Sequence, residues 1–98
     1  MSTENDCIFC KIVRGEIPSN KVYEDDKVLA FRDINPAAPV HVLVVPKRHV
    51  ARLSDCGEGE RDLLADVMLG ANKVAETEKL DSCRVIINNG PGAGQTVF

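Results

Sequence analysis

One stretch constrains the fold more than any other. Between about Gly59 and Leu80, the residues Leu63, Leu64, Val67, Met68, Ala71, Val74 and Ala75 recur at helical spacing and make a single apolar stripe. It is the one long helix that the periodicity supports. A helix with one apolar stripe has to bury it against other elements, and the remaining apolar runs read as strands.

Those runs are ordered and well punctuated. CIFCKIVRGEIP begins with a short helical turn, which Gly15 is placed to end and Pro18 prevents from continuing. NKVYEDDKVLAFRDI reads as a hairpin: Val22-Tyr23 enters the polar Glu24-Asp25-Asp26 turn and Val28-Leu29-Ala30-Phe31 returns from it. Asn35-Pro36-Ala37-Ala38-Pro39 is a rigid loop, because each proline fixes its own φ and extends its predecessor. HVLVVP follows with apolar residues on both faces, the pattern of a central strand covered on both sides. After the long helix, Arg84-Val85-Ile86-Ile87-Asn88 reads as a further strand, and Gln95-Thr96-Val97-Phe98 as the opening of another. The order predicts an α+β fold: one antiparallel sheet, one long helix and a short N-terminal helix, with the last strand truncated.

Composition bounds the function. A chain of 98 residues holds one domain at most, and 44% apolar with 28% charged residues is ordinary globular usage. A net charge of −3 argues against a duplex nucleic-acid partner, whose binding rests on a basic face. No window approaches the ~20 apolar residues of a membrane helix. The polar, acidic start MSTENDC has neither secretory nor transit character, so a cytoplasmic location is expected. In that compartment the four cysteines suit metal ligands or plain thiols better than disulfides.

Three motifs carry chemistry, each with a plainer alternative. Cys7-x-x-Cys10 with a later His41 or His49 can supply tetrahedral zinc ligands, but the same spacing serves two reduced cysteines packed under the sheet. A redox pair fits less well, since such a motif follows a strand and this one precedes them all. Cys56 and Cys83 have no partner at metal spacing and read as structural. Gly90-Pro91-Gly92-Ala93-Gly94-Gln95-Thr96 can bring backbone N–H groups and two side-chain donors to an anion, or can be a loose turn. It is neither a P-loop nor a dinucleotide fingerprint. Asp33, between Phe31 and Ile34 at a strand end, can accept hydrogen bonds from a ribose diol while its neighbours wall a base; it can equally cap a loop.

Taken together, CIFCKIVRGEIPSNKVYEDDKVLAFRDINPAAPVHVLVVPKRHV, the helix and RVIINNGPGAGQTVF resemble the histidine triad family in its Hint-like branch. The resemblance implies one such domain over residues 1–98, incomplete at its C-terminal end, because the family's His-x-His-x-His strand is expected just beyond Phe98. It implies a homodimer and a hydrolase of purine nucleoside monophosphate conjugates, phosphoramidates above all. The middle triad histidine would attack the α-phosphorus and water would release the nucleotide. Residue by residue, it implies that Ile8, Phe9, Ile12, Phe31, Ile34 and Leu43 line the base side. Asp33 would bind the ribose hydroxyls with support from Asn35, and Asn88, Gly94, Gln95 and Thr96 would face the phosphate. His41 would support the catalytic strand. Cys7, Cys10 and His49 would hold zinc with a triad histidine, and no organic cofactor is implied.

Overall fold

The computed structural model describes residues 7–34, 36–50 and 52–93. Helix α1 (Ile8–Val13) begins at Cys7, whose Sγ accepts the Cys10 N–H at 3.3 Å. It ends as the sequence dictates. Gly15 takes φ +80°, its N–H reaches the Ile12 carbonyl at 3.0 Å, and the Glu16 N–H reaches that of Lys11 at 2.9 Å. That pair of bonds is a Schellman cap, which a residue without Cβ enters at no steric cost.

Strands β1 (Lys21–Glu24) and β2 (Val28–Arg32) form the expected hairpin, with a register irregularity between Lys21 and Tyr23. Its turn is built on Asp25, whose Oδ1 accepts the N–H groups of Lys27 and Val28 at 2.7 and 2.9 Å. The Tyr23 hydroxyl donates to the other carboxylate oxygen at 2.7 Å. The hydroxyl first, then those two N–H groups, hold the Asp25 carboxyl below its ordinary range.

Strand β3 (Val42–Pro46) pairs antiparallel with β2, giving the order β1-β2-β3. The central strand is therefore β2. Four of its residues, Val28 to Phe31, are buried, whereas in β3 only Val45 is. Among the described residues β3 is an edge strand, which corrects the central position that its two apolar faces suggested.

The sheet is covered on both faces, and alternation along β2 assigns them. Leu29 and Phe31 join Val45 and Ile12 of α1 in one cluster, flanked by Phe9, Val13, Ile17 and Leu43. The Phe9 and Phe31 rings lie 6.1 Å apart and tilted by 52°. On the opposite face packs helix α2 (Arg61–Thr77), entered through a 3-10 turn at Glu58–Glu60. Its contact centres on Gly70, where an added Cβ would stand 3.0 Å from Val28 Cγ2 and 3.3 Å from Val44 Cγ1. Val74 is buried one turn on, while Met68, expected in the stripe, is 47% exposed. The helix approaches the sheet on its smallest residue, and that rotates Met68 outward. Its end is a second Schellman cap, here with Lys79 at φ +55° in the position that glycine usually fills.

Residues 84–88 are not a strand. They run as irregular chain, with Val85, Ile86 and Ile87 exposed at 52, 67 and 51%. β-branched residues favour a strand only where a neighbour supplies a ladder and a face to pack on, and none of the described elements does so here. The strand expected at Gln95–Phe98 lies outside the described residues.

Candidate functional site

Two features stand on the α1 face of the sheet and along the free edge of β3. The first is a cluster of metal-ligand type. Cys7 is buried and starts α1, Cys10 is half-buried one turn on, and His49 arrives from the segment after β3. The Nδ1 atom of His49 is 3.1 Å from Cys10 Sγ, and the ligand atoms of all three residues lie within 4.8 Å of one another. A tetrahedral zinc with ligands at ~2.0–2.3 Å spaces them roughly 3.3–3.8 Å apart, so one pair would widen slightly and the longer ones close by about an ångström around one ion. Two thiols and an imidazole are also the soft and borderline donors that zinc takes. The Cys10 N–H donates to Cys7 Sγ and so fixes where that atom stands relative to the other two.

The second feature is an open hollow of about 1430 Å³. It is lined by Ile8, Phe9, Ile12, Phe31, Asp33, Ile34, His41, Leu43 and Asn88, among others. Leu43 and Val45 come from one face of β3 and Val44 from the other, so the hollow wraps around the edge of that strand toward Ile86 and Ile87. Its volume exceeds the ~300–1,000 Å³ that a small-molecule site commonly occupies, so a ligand of ordinary size would fill part of it.

The eight described residues that the resemblance assigns to base, ribose and phosphate all border this one hollow. They are not equally enclosed: Phe31 and Ile12 are buried, whereas Ile8 is 44% and Ile34 92% exposed, the last standing at the mouth. Asn35, Gly94, Gln95 and Thr96, the other expected contacts, lie outside the described residues.

Asp33 and His41 are held together by the loop they bracket. The Asp33 N–H donates to the His41 carbonyl at 3.0 Å, and the Ala37 N–H donates to His41 Nδ1 at 3.0 Å. With Nδ1 accepting, a neutral imidazole carries its hydrogen on Nε2, and that atom faces Asp33 Oδ2 at 3.5 Å. The geometry makes His41 a neighbour of the Asp33 carboxylate.

Arg52 and Asn89 were not singled out from the sequence. Arg52 lines the hollow, its Nη1 standing 3.6 Å from where a Cβ on Gly90 would be. Asn89 Oδ1 accepts the Ser54 N–H at 3.0 Å across 35 residues of chain. No local pattern announces a contact of that separation. Of the two cysteines read as structural, Cys56 is half-buried and borders the hollow, while Cys83 is exposed and packs in no core. No helix among the described residues is long and apolar enough to cross a membrane.

A three-stranded antiparallel sheet, with a short helix bordering an open hollow on one face and a long helix on the other, defines an α+β domain with a ligand-sized cleft. Residues 14–98 match the family model described as HIT domain. An uncharacterized HIT-like protein of Synechocystis sp. is 50% identical over 94 residues, which is 95% of this chain and 82% of that protein. A 14 kDa zinc-binding protein of Zea mays is 48% identical over 94 residues, 93% of this chain and 73% of its own length. Among solved structures, a HIT family hydrolase from Clostridium thermocellum superposes with a TM-score of 0.91 at 49% identity, covering 99% of this chain and 85% of that one. The chain belongs to the HIT family.

Proposed function

We propose that this domain binds the nucleoside monophosphate part of a phosphoramidate or related conjugate and serves its hydrolysis through a nucleotidyl-histidine. The observation that carries the reading is the convergence of Phe9, Ile12, Phe31, Leu43, Asp33 and Asn88 on one hollow. Apolar side chains wall a base there, the Asp33 carboxylate accepts from the ribose hydroxyls, and Asn88 donates to a phosphoryl oxygen. A purine, as in AMP conjugates, suits the large apolar wall.

The nucleophile belongs to the triad. Both histidines of the 98 residues are otherwise placed: His49 with the cysteines and His41 beside Asp33. The roles therefore divide, in this proposal, into binding by these residues and turnover by a triad-bearing strand, so the 98 residues alone are inactive. Cys7, Cys10 and His49 hold zinc, a reading supported by the name of the maize relative and the spacing of the ligand atoms. A homodimer in the cytoplasm completes the proposal.

Calorimetric titration with AMP tests the binding half. Asp33→Ala is expected to weaken AMP about tenfold or more, since it removes charge-assisted hydrogen bonds to the ribose. Unchanged affinity in that variant would reject the site. Turnover of an adenosine phosphoramidate tests the other half, and activity from the 98 residues alone would overturn the histidine mechanism. The Cys7-Cys10-His49 cluster favours a second reading, a nucleotide- or zinc-binding domain without turnover. Metal analysis with Cys10→Ser as control addresses the zinc: equal metal content in the two proteins removes the centre.

A further inference from the structure

The 3-10 turn Leu53–Asp55 closes two local hydrogen bonds. Asp55 N–H reaches the Arg52 carbonyl at 3.1 Å and Cys56 N–H that of Leu53 at 2.9 Å. The Ser54 N–H has no carbonyl to meet within the turn, as is usual for the first donors of any helical segment. It donates instead to Asn89 Oδ1 at 3.0 Å. Asn89 thus acts as a cap supplied from 35 residues away, and it sits between Asn88 and Gly90.

A second contact falls on the next residue. Gly90 is buried at φ +94°, and the Arg52 guanidinium lies over it, 3.6 Å from the position of a Cβ. Residues 52–54 therefore grip the chain at 89 and at 90. Between Cys83 and Asn89 that chain has no regular secondary structure, so a sheet does not fix its position. The grip falls where the chain leaves Asn88, on the wall of the hollow, and enters the glycine-rich loop.

We propose that Asn89 is a positioning residue for phosphate binding: its bond to Ser54 sets where Asn88 and Gly90 stand relative to the hollow. Asn89 itself touches no ligand. The inference rests on the nucleotide reading of the hollow and adds to it a residue that acts on one part of the ligand alone.

The test is to titrate the full protein with AMP and, separately, with adenosine, before and after Asn89→Ala. Loss of one hydrogen bond of this kind is expected to weaken AMP about three- to tenfold. Adenosine, which has no phosphate, is expected to bind unchanged. Ser54→Pro removes the same bond from its donor side and is expected to weaken AMP similarly, with the double variant no worse than either single one. Equal weakening of AMP and adenosine would mean general loosening and would overturn the proposal, as would unchanged AMP affinity. An unaltered protein that binds AMP and adenosine alike would refute this inference while leaving the base and ribose site standing. One that binds neither would refute the nucleotide reading as well.

Discussion

Strand β2 and the segment 84–88 have nearly interchangeable compositions and opposite fates. Val28-Leu29-Ala30-Phe31 is buried throughout, with β1 and β3 on its two edges and helices on its two faces. Val85-Ile86-Ile87 is at least half exposed at every position and joins no ladder among the described residues. A run of β-branched and aliphatic residues thus states a capacity for strand. What realises it is a neighbour that takes the hydrogen bonds and covers the faces.

The largest expected effect tests that contrast directly. Leu29, fully buried, is expected to cost about 2–5 kcal/mol when changed to Ala, through lost transfer energy and an unfilled cavity. Ile86→Ala, at a position 67% exposed, is expected to stay within about 0.5 kcal/mol. Urea denaturation of both variants measures this, and comparable losses would break the comparison.

Next in size is Gly70→Ala. The new methyl would meet Val28 Cγ2 at 3.0 Å and Val44 Cγ1 at 3.3 Å, both on short, stiff side chains. Overpacking of about 1–3 kcal/mol outweighs the ~0.5–1 kcal/mol that alanine gains over glycine in a helix. A net loss of up to about 2.5 kcal/mol is therefore expected, and a more stable variant would show that α2 can ride outward from β2 freely.

Lys79→Gly should have the opposite sign and a smaller size. Lys79 closes α2 at φ +55°, so removing its Cβ is expected to stabilise by about 0.5–1 kcal/mol, read as a higher denaturation midpoint. Because this cap lies outside both compared regions, the gain should leave the contrast between Leu29 and Ile86 unchanged.

The smallest effect is confined to the hairpin. Asp25 is held below its ordinary carboxyl range by the Tyr23 hydroxyl and the Lys27 and Val28 N–H groups. A lowered folded-state value means that its contribution is fully present above the unfolded value. It is lost as pH falls below about 4 and through the folded value. Protection of the Lys27 and Val28 amides, measured as exchange relative to the intrinsic rate at each pH, is expected to fall over that window in the native protein and not in Asp25→Asn; identical profiles would show that the turn stands without its carboxylate.

Much of this was legible in the chain. Gly15 ends α1, Asp25 turns the hairpin and the stripe forms α2 because each rests on conformational preferences or contacts within a few residues. The candidate site was legible only in part. The Cys7-x-x-Cys10 spacing is local, but His49 joins it across 39 residues, and nothing in the spacing chooses His49 over His41. The resemblance to a family made that choice, and the fold brings His49 to the cluster and His41 to Asp33.

The sequence by itself determined the elements that local forces close: one helix cap, one turn, one amphipathic period and the α+β order. The tertiary structure alone decided which strand is central, which face of α2 comes closest to the sheet, and that Asn89 caps a turn far back in the chain. The physical reason is the range of the forces involved. Dihedral preference and short-range hydrogen bonding act within a turn or two of chain, whereas burial and ladder pairing depend on which distant surfaces meet.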